Sequence, residues 1–188
     1  YCSTIGSPAV EILVVVGGQS ILPSTSSGTI ELVTGPPPFD FSAGDYSLDY
    51  NGLTGEATVS ISPMITENPD NPGFPNDTQG FSFGLSHDSS LLAVITFTAG
   101  SVLTELNTNN GPDFIDINNF VDGITVGCVY SFSNSAFIAF VTPTEIGSVS
   151  YDAVPGGLIG NNPGTTTGLN WSNALGTPPV VNILVVNG

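Results

Sequence analysis

Glu56-Ala57-Thr58-Val59-Ser60-Ile61-Ser62 alternates apolar and polar side chains without a break. Successive side chains of a β-strand point to opposite faces, so this period of two predicts a strand with one face buried and one in water. Tyr46, Leu48 and Tyr50 repeat the pattern just upstream, and Phe81, Phe83 and Leu85 repeat it downstream. Outward from these stretches the texture stays the same. Short runs of Val, Ile, Thr, Phe and Tyr are punctuated by Gly, Pro, Asn and Ser. Strands are read at Val10–Val16, Thr29–Val33, Asp45–Tyr50, Glu56–Ser62, Gly80–Ser86, Leu91–Thr98, Val102–Leu106, Ile124–Phe132, Ala136–Val141, Gly147–Tyr151 and Val180–Val186.

Asn51-Gly52 carries the signature of a type I′ hairpin turn, and Asn134-Ser135 marks a second turn. No window shows a strong helical period, and the one helical signal is a single turn at Pro112–Asn119. The fold class is therefore all-β: an antiparallel β-sandwich or jelly roll of about nine to eleven strands, with essentially no helix. A chain of 188 residues suits one domain. We divide it into an N-terminal segment, 1–18, holding a candidate donor strand, and a single β-sandwich domain, 19–188, that ends in a C-terminal strand. Pro36-Pro37-Pro38, Asn68–Thr78 and Asn161–Thr167 read as loops rather than linkers.

None of the 188 residues is a lysine or an arginine; 16 carboxylates face a single histidine, His87. Such a chain cannot neutralise phosphates, so nucleic acid and anionic lipid are not its partners. A hydrophobic fraction of 40% separates it from acidic disordered chains. No apolar run approaches the roughly 20 residues of a membrane span. The start at Tyr1 rather than Met is what removal of a signal peptide leaves. Cys2 and Cys128 suit one disulfide in an oxidising compartment, closing a long loop and pinning the N-terminus to the body; a bond to a neighbouring subunit is the alternative. These features place the protein outside the cell, secreted or on its surface.

The two ends of the chain echo each other. Pro8-Ala9-Val10-Glu11-Ile12-Leu13-Val14-Val15-Val16-Gly17 aligns without gaps on Pro179-Val180-Val181-Asn182-Ile183-Leu184-Val185-Val186-Asn187-Gly188, with seven of ten positions identical. The polar residue, Glu11 or Asn182, falls at the same phase. Both segments therefore suit one kind of sheet slot, with Val10, Ile12, Val14 and Val16 as donor-strand residues and Val181, Ile183 and Val185 as their C-terminal equivalents. The pattern resembles, at class level, the donor strands of β-sandwich filament subunits such as chaperone–usher pilins and archaeal donor-strand pili. That resemblance implies a subunit that polymerises by inserting a terminal strand into its neighbour. The chain departs from lysine-linked pilins, which need a lysine, and from type IV pilins, which begin with a long helix. Burying Val10, Ile12, Val14 and Val16 would contribute roughly 1.5–3 kcal/mol each before ordering entropy.

Chemical motifs are sparse. Gly80-Phe81-Ser82-Phe83-Gly84 matches the G-x-S-x-G elbow of hydrolases, but the elbow needs a following helix and none is read here. Asp113, Asp116 and Asp122, among several asparagines, are oxygen ligands of the kind Ca²⁺ takes, without EF-hand spacing. Asn76-Asp77-Thr78 and Asn170-Trp171-Ser172 are N-glycosylation sequons, both in expected loops. Trp171, the one tryptophan, suits either a sugar platform or the core. The resulting reading is a non-enzymatic structural subunit of an extracellular filament or sheath, partnered by copies of itself and by glycans, with no required cofactor. The alternative is a secreted acidic adhesin or carbohydrate-binding module that uses Ca²⁺.

Overall fold

A computed structural model describes residues 14–16, 19–21, 37–47, 57–68, 70, 77–154 and 166–186. The chain forms two compact units, Tyr1–Gly35 and Pro36–Gly188. In the first, β1 (Val14–Val16) pairs antiparallel with β2 (Gln19–Ile21), so Val14 stands opposite Ile21 and Val16 opposite Gln19.

The second unit is an antiparallel β-sandwich, as its alternating sequence requires. Its largest sheet has six strands: β6 (Asp77–Ser86), β8 (Phe114–Phe120), β9 (Gly123–Val129), β10 (Ile138–Ala139), β13 (Asn170–Trp171) and β14 (Ile183–Val186). Two three-stranded sheets complete the unit. One orders β11 (Thr144–Glu145), β5 (Met64–Glu67) and β3 (Phe39–Ser42); the other orders β4 (Thr58–Ile61), β12 (Gly147–Ala153) and β7 (Leu92–Ala99). Strand β6 is the spine of the large sheet. Ser82 stands opposite Gly127 of β9 on one side and Ile183 of β14 on the other, and Leu85 stands likewise between Ile124 and Trp171. β9 and the pair β13/β14 therefore flank opposite edges of β6, and β8 continues the sheet beyond β9.

The period of two read from sequence decides which side chains meet. Phe81, Phe83 and Leu85 of β6, Ile124, Val126 and Cys128 of β9, and Val149 and Tyr151 of β12 are all buried in one core. The ring of Phe83 meets Phe97 of β7 edge-on at 6.1 Å and Trp171 at 5.5 Å. Burying a Phe of this kind is worth roughly 1.5–3 kcal/mol, so these layers carry much of the stability. Trp171 also lies 5.4 Å from Phe41; of the two roles open to it, the core is the one it fills.

Several local expectations are corrected. Val102–Leu106 is not a strand: the chain turns after Gly100 into α1 (Ser101–Thr104) and α2 (Leu106–Asn109). Val102, Leu103 and Leu106 all reach the core, a spacing of three and four that a helical turn satisfies and a strand does not. Phe114–Phe120, where a helical turn was expected, is strand β8. It is exposed on both faces, so its sequence carries no inside–outside contrast. Residues 43–47 carry no strand, so the described part of Asp45–Tyr50 is not one; Asn51-Gly52 and Thr29–Val33 lie outside the described residues.

Candidate functional site

The site is the outer face and outer edge of the six-stranded sheet. Directly opposed residues of antiparallel strands share a face. Val185, Gly80, Val129 and Phe114 thus form one row across β14, β6, β9 and β8 on the side away from the core. Ile183, Ser82, Gly127 and Asp116 form the next row. Val181, Ile183 and Val185 are each 47% exposed and Phe114 is 46% exposed. Leu184 points the other way and packs against the core.

The C-terminal segment is held on the β6 edge by more than the ladder. The Ser82 hydroxyl donates to the Val181 carbonyl at 2.7 Å, and the Gly84 N–H donates to Asn182 Oδ1 at 2.8 Å. The Asn182 N–H in turn donates to Asn173 Oδ1 at 2.8 Å. Among the described residues β14 pairs only with β6, which leaves its other edge without a ladder partner. Val181, Ile183 and Val185, expected at a sheet slot, thus lie in or beside one within their own chain. Of their N-terminal equivalents, Val14 and Val16 lie in β1; Val10 and Ile12 lie outside the described residues.

Small residues shape this face. A β-carbon added at Gly84 would stand 2.5 Å from the Ser172 carbonyl oxygen, and one at Gly123 2.5 Å from Leu175 Cδ1. Leu175 is 6% exposed, seated in the hollow these two glycines leave. At Gly127 the hollow is open, with no atom within 4 Å of an added β-carbon. The opposite outer face, on β4, β12 and β7, carries several hydroxyls beside Asp152 and Ala93. Thr58 donates to Asp152 at 2.7 Å, Ser60 and Ser150 share a hydrogen bond at 3.0 Å, and Thr96 and Thr98 lie in register with Ser150 and Ser148.

The remaining sequence candidates fall elsewhere. Ser82 lies on the outer face of a continuous strand, about 16 Å along the chain from His87, so the elbow motif builds no catalytic pair. Asp113 precedes β8, where its carboxylate accepts from Asn107 Nδ2 and the Phe132 N–H. Asp116 sits mid-strand and accepts from Asn118 Nδ2, and Asp122 lies in the turn after β8. An extended strand sets Asp113 and Asp122 roughly 20 Å apart, so β8 does not bring the three carboxylates together. Among the described residues no group of three metal-ligating side chains converges. Among the described residues Cys128 has no disulfide partner, and burial pushes its thiol pKa up to about 12; Cys2, its expected partner, lies outside the described residues. Asn170 is exposed but stands in β13, not in a loop, and Asn76 lies outside the described residues. Among the described residues no helix is long and apolar enough to cross a membrane.

Sequence reasoning missed the roles of Gly127, Val129, Phe114 and Leu175. The signal was present as alternating small residues, Gly80, Ser82, Gly84 and Ser86 on β6, with Ser82 facing Gly127 and Ser86 facing Gly123.

No protein-family model matches the chain, and no curated protein matches it. Among solved structures, the sixth cohesin of Acetivibrio cellulolyticus scaffoldin B, in complex with a mutant Cel5 dockerin, is 17% identical, with a TM-score of 0.49 over 72% of this chain and 82% of that one. A type I cohesin–dockerin complex from Clostridium thermocellum is 12% identical at a TM-score of 0.49, covering 72% of this chain and 82% of that one. A second such complex from that organism is 18% identical at 0.47, covering 76% and 83%. Such values do not assign the chain to that family.

Proposed function

We propose that this protein is a non-enzymatic extracellular structural subunit that assembles with copies of itself by strand exchange at the β6 edge. The observation that carries the reading is the fit of β14 to that edge, set beside its twin at the N-terminus. Ile183, Leu184 and Val185 occupy the slot as outer, inner and outer side chains. Ile12, Leu13 and Val14 are the same residues in the same order. Asn182 supplies an oxygen acceptor to the Gly84 N–H, and Glu11, at the aligned position, carries carboxylate oxygens that can accept the same bond.

One slot and two segments that match it are the elements of exchange between protomers. An entering N-terminal segment would rebuild on β6 a ladder equivalent to that of the β14 it replaces, and would give up the β1–β2 pairing to do so. Main-chain pairing sets its direction, as in other strand-addition modes. The like charge of the subunits opposes association, but scattered carboxylates are screened beyond about 8 Å at physiological salt. The sequons at Asn76 and Asn170 serve in this reading as glycan acceptors of an external surface.

The test is the full chain carrying Ile12→Asp and Val14→Asp, imaged beside the wild type by negative stain. Wild-type filaments and dispersed variant subunits are expected. Filaments of equal length and number from both chains would reject the exchange.

A further inference from the structure

Strand β8 is the outermost strand of the six-stranded sheet on the side away from β14. Among the described residues it pairs only with β9, so its other edge presents backbone N–H and C=O groups without a ladder. Native sheets guard such an edge with a short strand, a bulge, a proline or a lysine. The other outer strands of this unit carry one of the first two guards. β3, β4 and β14 are four residues long and β10, β11 and β13 only two, while β7 is bulged at Ile95. β8 runs seven residues in unbroken register without a proline, in a chain without a lysine, and is exposed on both faces. We infer that this edge is covered by β8 of a second copy, paired antiparallel about a two-fold axis that passes through Ile117 normal to the sheet.

The sequence of β8 selects its own copy. A two-fold normal to the sheet passes through one residue near the middle of the strand: Asp116, Ile117 or Asn118. Through Asp116 it sets two carboxylates directly opposite each other, which is unfavourable. Through Asn118 it sets Asp116 against Phe120. Through Ile117 it sets Asp116 against Asn118, Phe114 against Phe120 and Ile115 against Asn119, each pair twice, with Ile117 against itself. Asn118 Nδ2 already donates one hydrogen to Asp116 Oδ2 of its own strand at 2.7 Å. The amide carries a second hydrogen, and this register offers it the partner's Asp116. Two carboxylates and two amides then alternate in one ring, flanked at each end by a Phe114–Phe120 pair, and aromatic pairs are favourable cross-strand neighbours.

Register, not net charge, chooses this occupant. Two chains with 16 carboxylates each and no lysine or arginine repel at long range, an effect screened beyond about 8 Å at physiological salt. Pairing should therefore tighten as salt rises, whereas a cationic strand on the same edge would be weakened. The second copy continues the sheet in its own plane, so it does not overlie the outer face where Leu175 sits over Gly84 and Gly123. Asn119 Nδ2 donates to the Ile95 carbonyl at 2.8 Å, which ties β8 to β7 through a side chain and leaves the ladder edge open.

This contact lies at the sheet edge remote from the β14 slot and does not depend on strand exchange. It is measured on the full chain carrying Ile12→Asp and Val14→Asp, so that pairing is read without elongation. Ile115 and Ile117 are exposed alike, at 36% and 37%. In a Cys2→Ser background, the Ile117→Cys chain is expected to oxidise to a disulfide dimer, because opposed residues lie about 4.5–5.5 Å apart at Cα. The Ile115→Cys chain is expected to stay single, because the two-fold sets its two copies roughly 13 Å apart along the strands. Asp116 and Asn118 are exposed, so their variants should keep the unpaired chain's circular dichroism. By sedimentation velocity, Asn118→Asp should weaken pairing about tenfold, since the two-fold repeats its like-charge contact. Asp116→Asn/Asn118→Asp should restore it, since carboxylate and amide have only exchanged places. Equal cross-linking of the Ile115→Cys and Ile117→Cys chains, no restoration by the exchanged pair, pairing weakened by salt, or a chain that never pairs would overturn the inference.

Discussion

The imidazole of His87 meets the ring of Tyr151 edge-on at 5.3 Å, and among the described residues no group makes a well-formed hydrogen bond to either ring nitrogen or to the tyrosine hydroxyl. The pair ties the end of β6 to β12, joining the large sheet to the hydroxyl-faced one. Burial lowers the pKa of His87 from 6.5; the backbone at Val121 and Leu92 and the carboxylates of Asp122 and Asp88 pull the other way without reversing it. The unfolded chain therefore takes up the proton more readily than the folded one. Stability is full above the unfolded value and is lost as pH falls below about 6.5 toward the lowered folded value. Thermal unfolding from pH 8 to pH 5 should show this fall, and His87→Leu should remove its histidine component.

Tyr151→Phe tests the same junction from the other side. An unpartnered buried hydroxyl costs about 1–3 kcal/mol of desolvation. Removing it at constant shape should raise stability by about 1 kcal/mol in urea unfolding. A loss of stability would show that the hydroxyl has a partner.

Leu175 and Gly123 should prove a matched pair. Leu175→Ala empties a filled hollow and should cost about 2–5 kcal/mol. Gly123→Ala places a methyl in space that Leu175 Cδ1 and the Leu85 carbonyl already hold, so it should also destabilise, by about 1–3 kcal/mol. The double variant should cost less than the sum of the two, measured as a coupling in denaturant unfolding.

Asn107, Thr108 and Asn109 take φ values of 50°, 63° and 64°. Asparagine tolerates this left-handed region, whereas a β-branched threonine does not. Thr108→Gly should therefore stabilise the chain by up to about 1 kcal/mol despite the freedom glycine gains when unfolded.

The sandwich was legible where one face of a strand is wet and the other dry, as at Thr58–Ile61, and at Gly80–Ser86, where large apolar side chains alternate with small residues. It was illegible at β8, because Phe114–Phe120 is open on both faces and its pattern lacks contrast. Val102–Leu106 misled because its Val and Leu residues suit either a strand or a helical turn, and packing rather than propensity decided between them. The C-terminal strand was legible from its echo at the N-terminus. Its docking through Asn182 and the glycine hollows beside it depends on which strands become neighbours, which is set by contacts distant in sequence.

The most direct test of strand exchange uses the slot's own register. Ile183 stands directly opposite Ser82, and Ile12 is its aligned equivalent. Opposed residues of this kind lie about 4.5–5.5 Å apart at Cα, within disulfide reach. In a Cys2→Ser background, an Ile12→Cys chain is mixed with a Ser82→Cys chain, oxidised mildly and run on a non-reducing gel. A covalent pair joining one chain of each kind, confirmed by mass spectrometry of the linked peptides, is the predicted result. Unlinked chains, from a mixture whose Ser82→Cys/Ile183→Cys counterpart closes readily within one molecule, would contradict it.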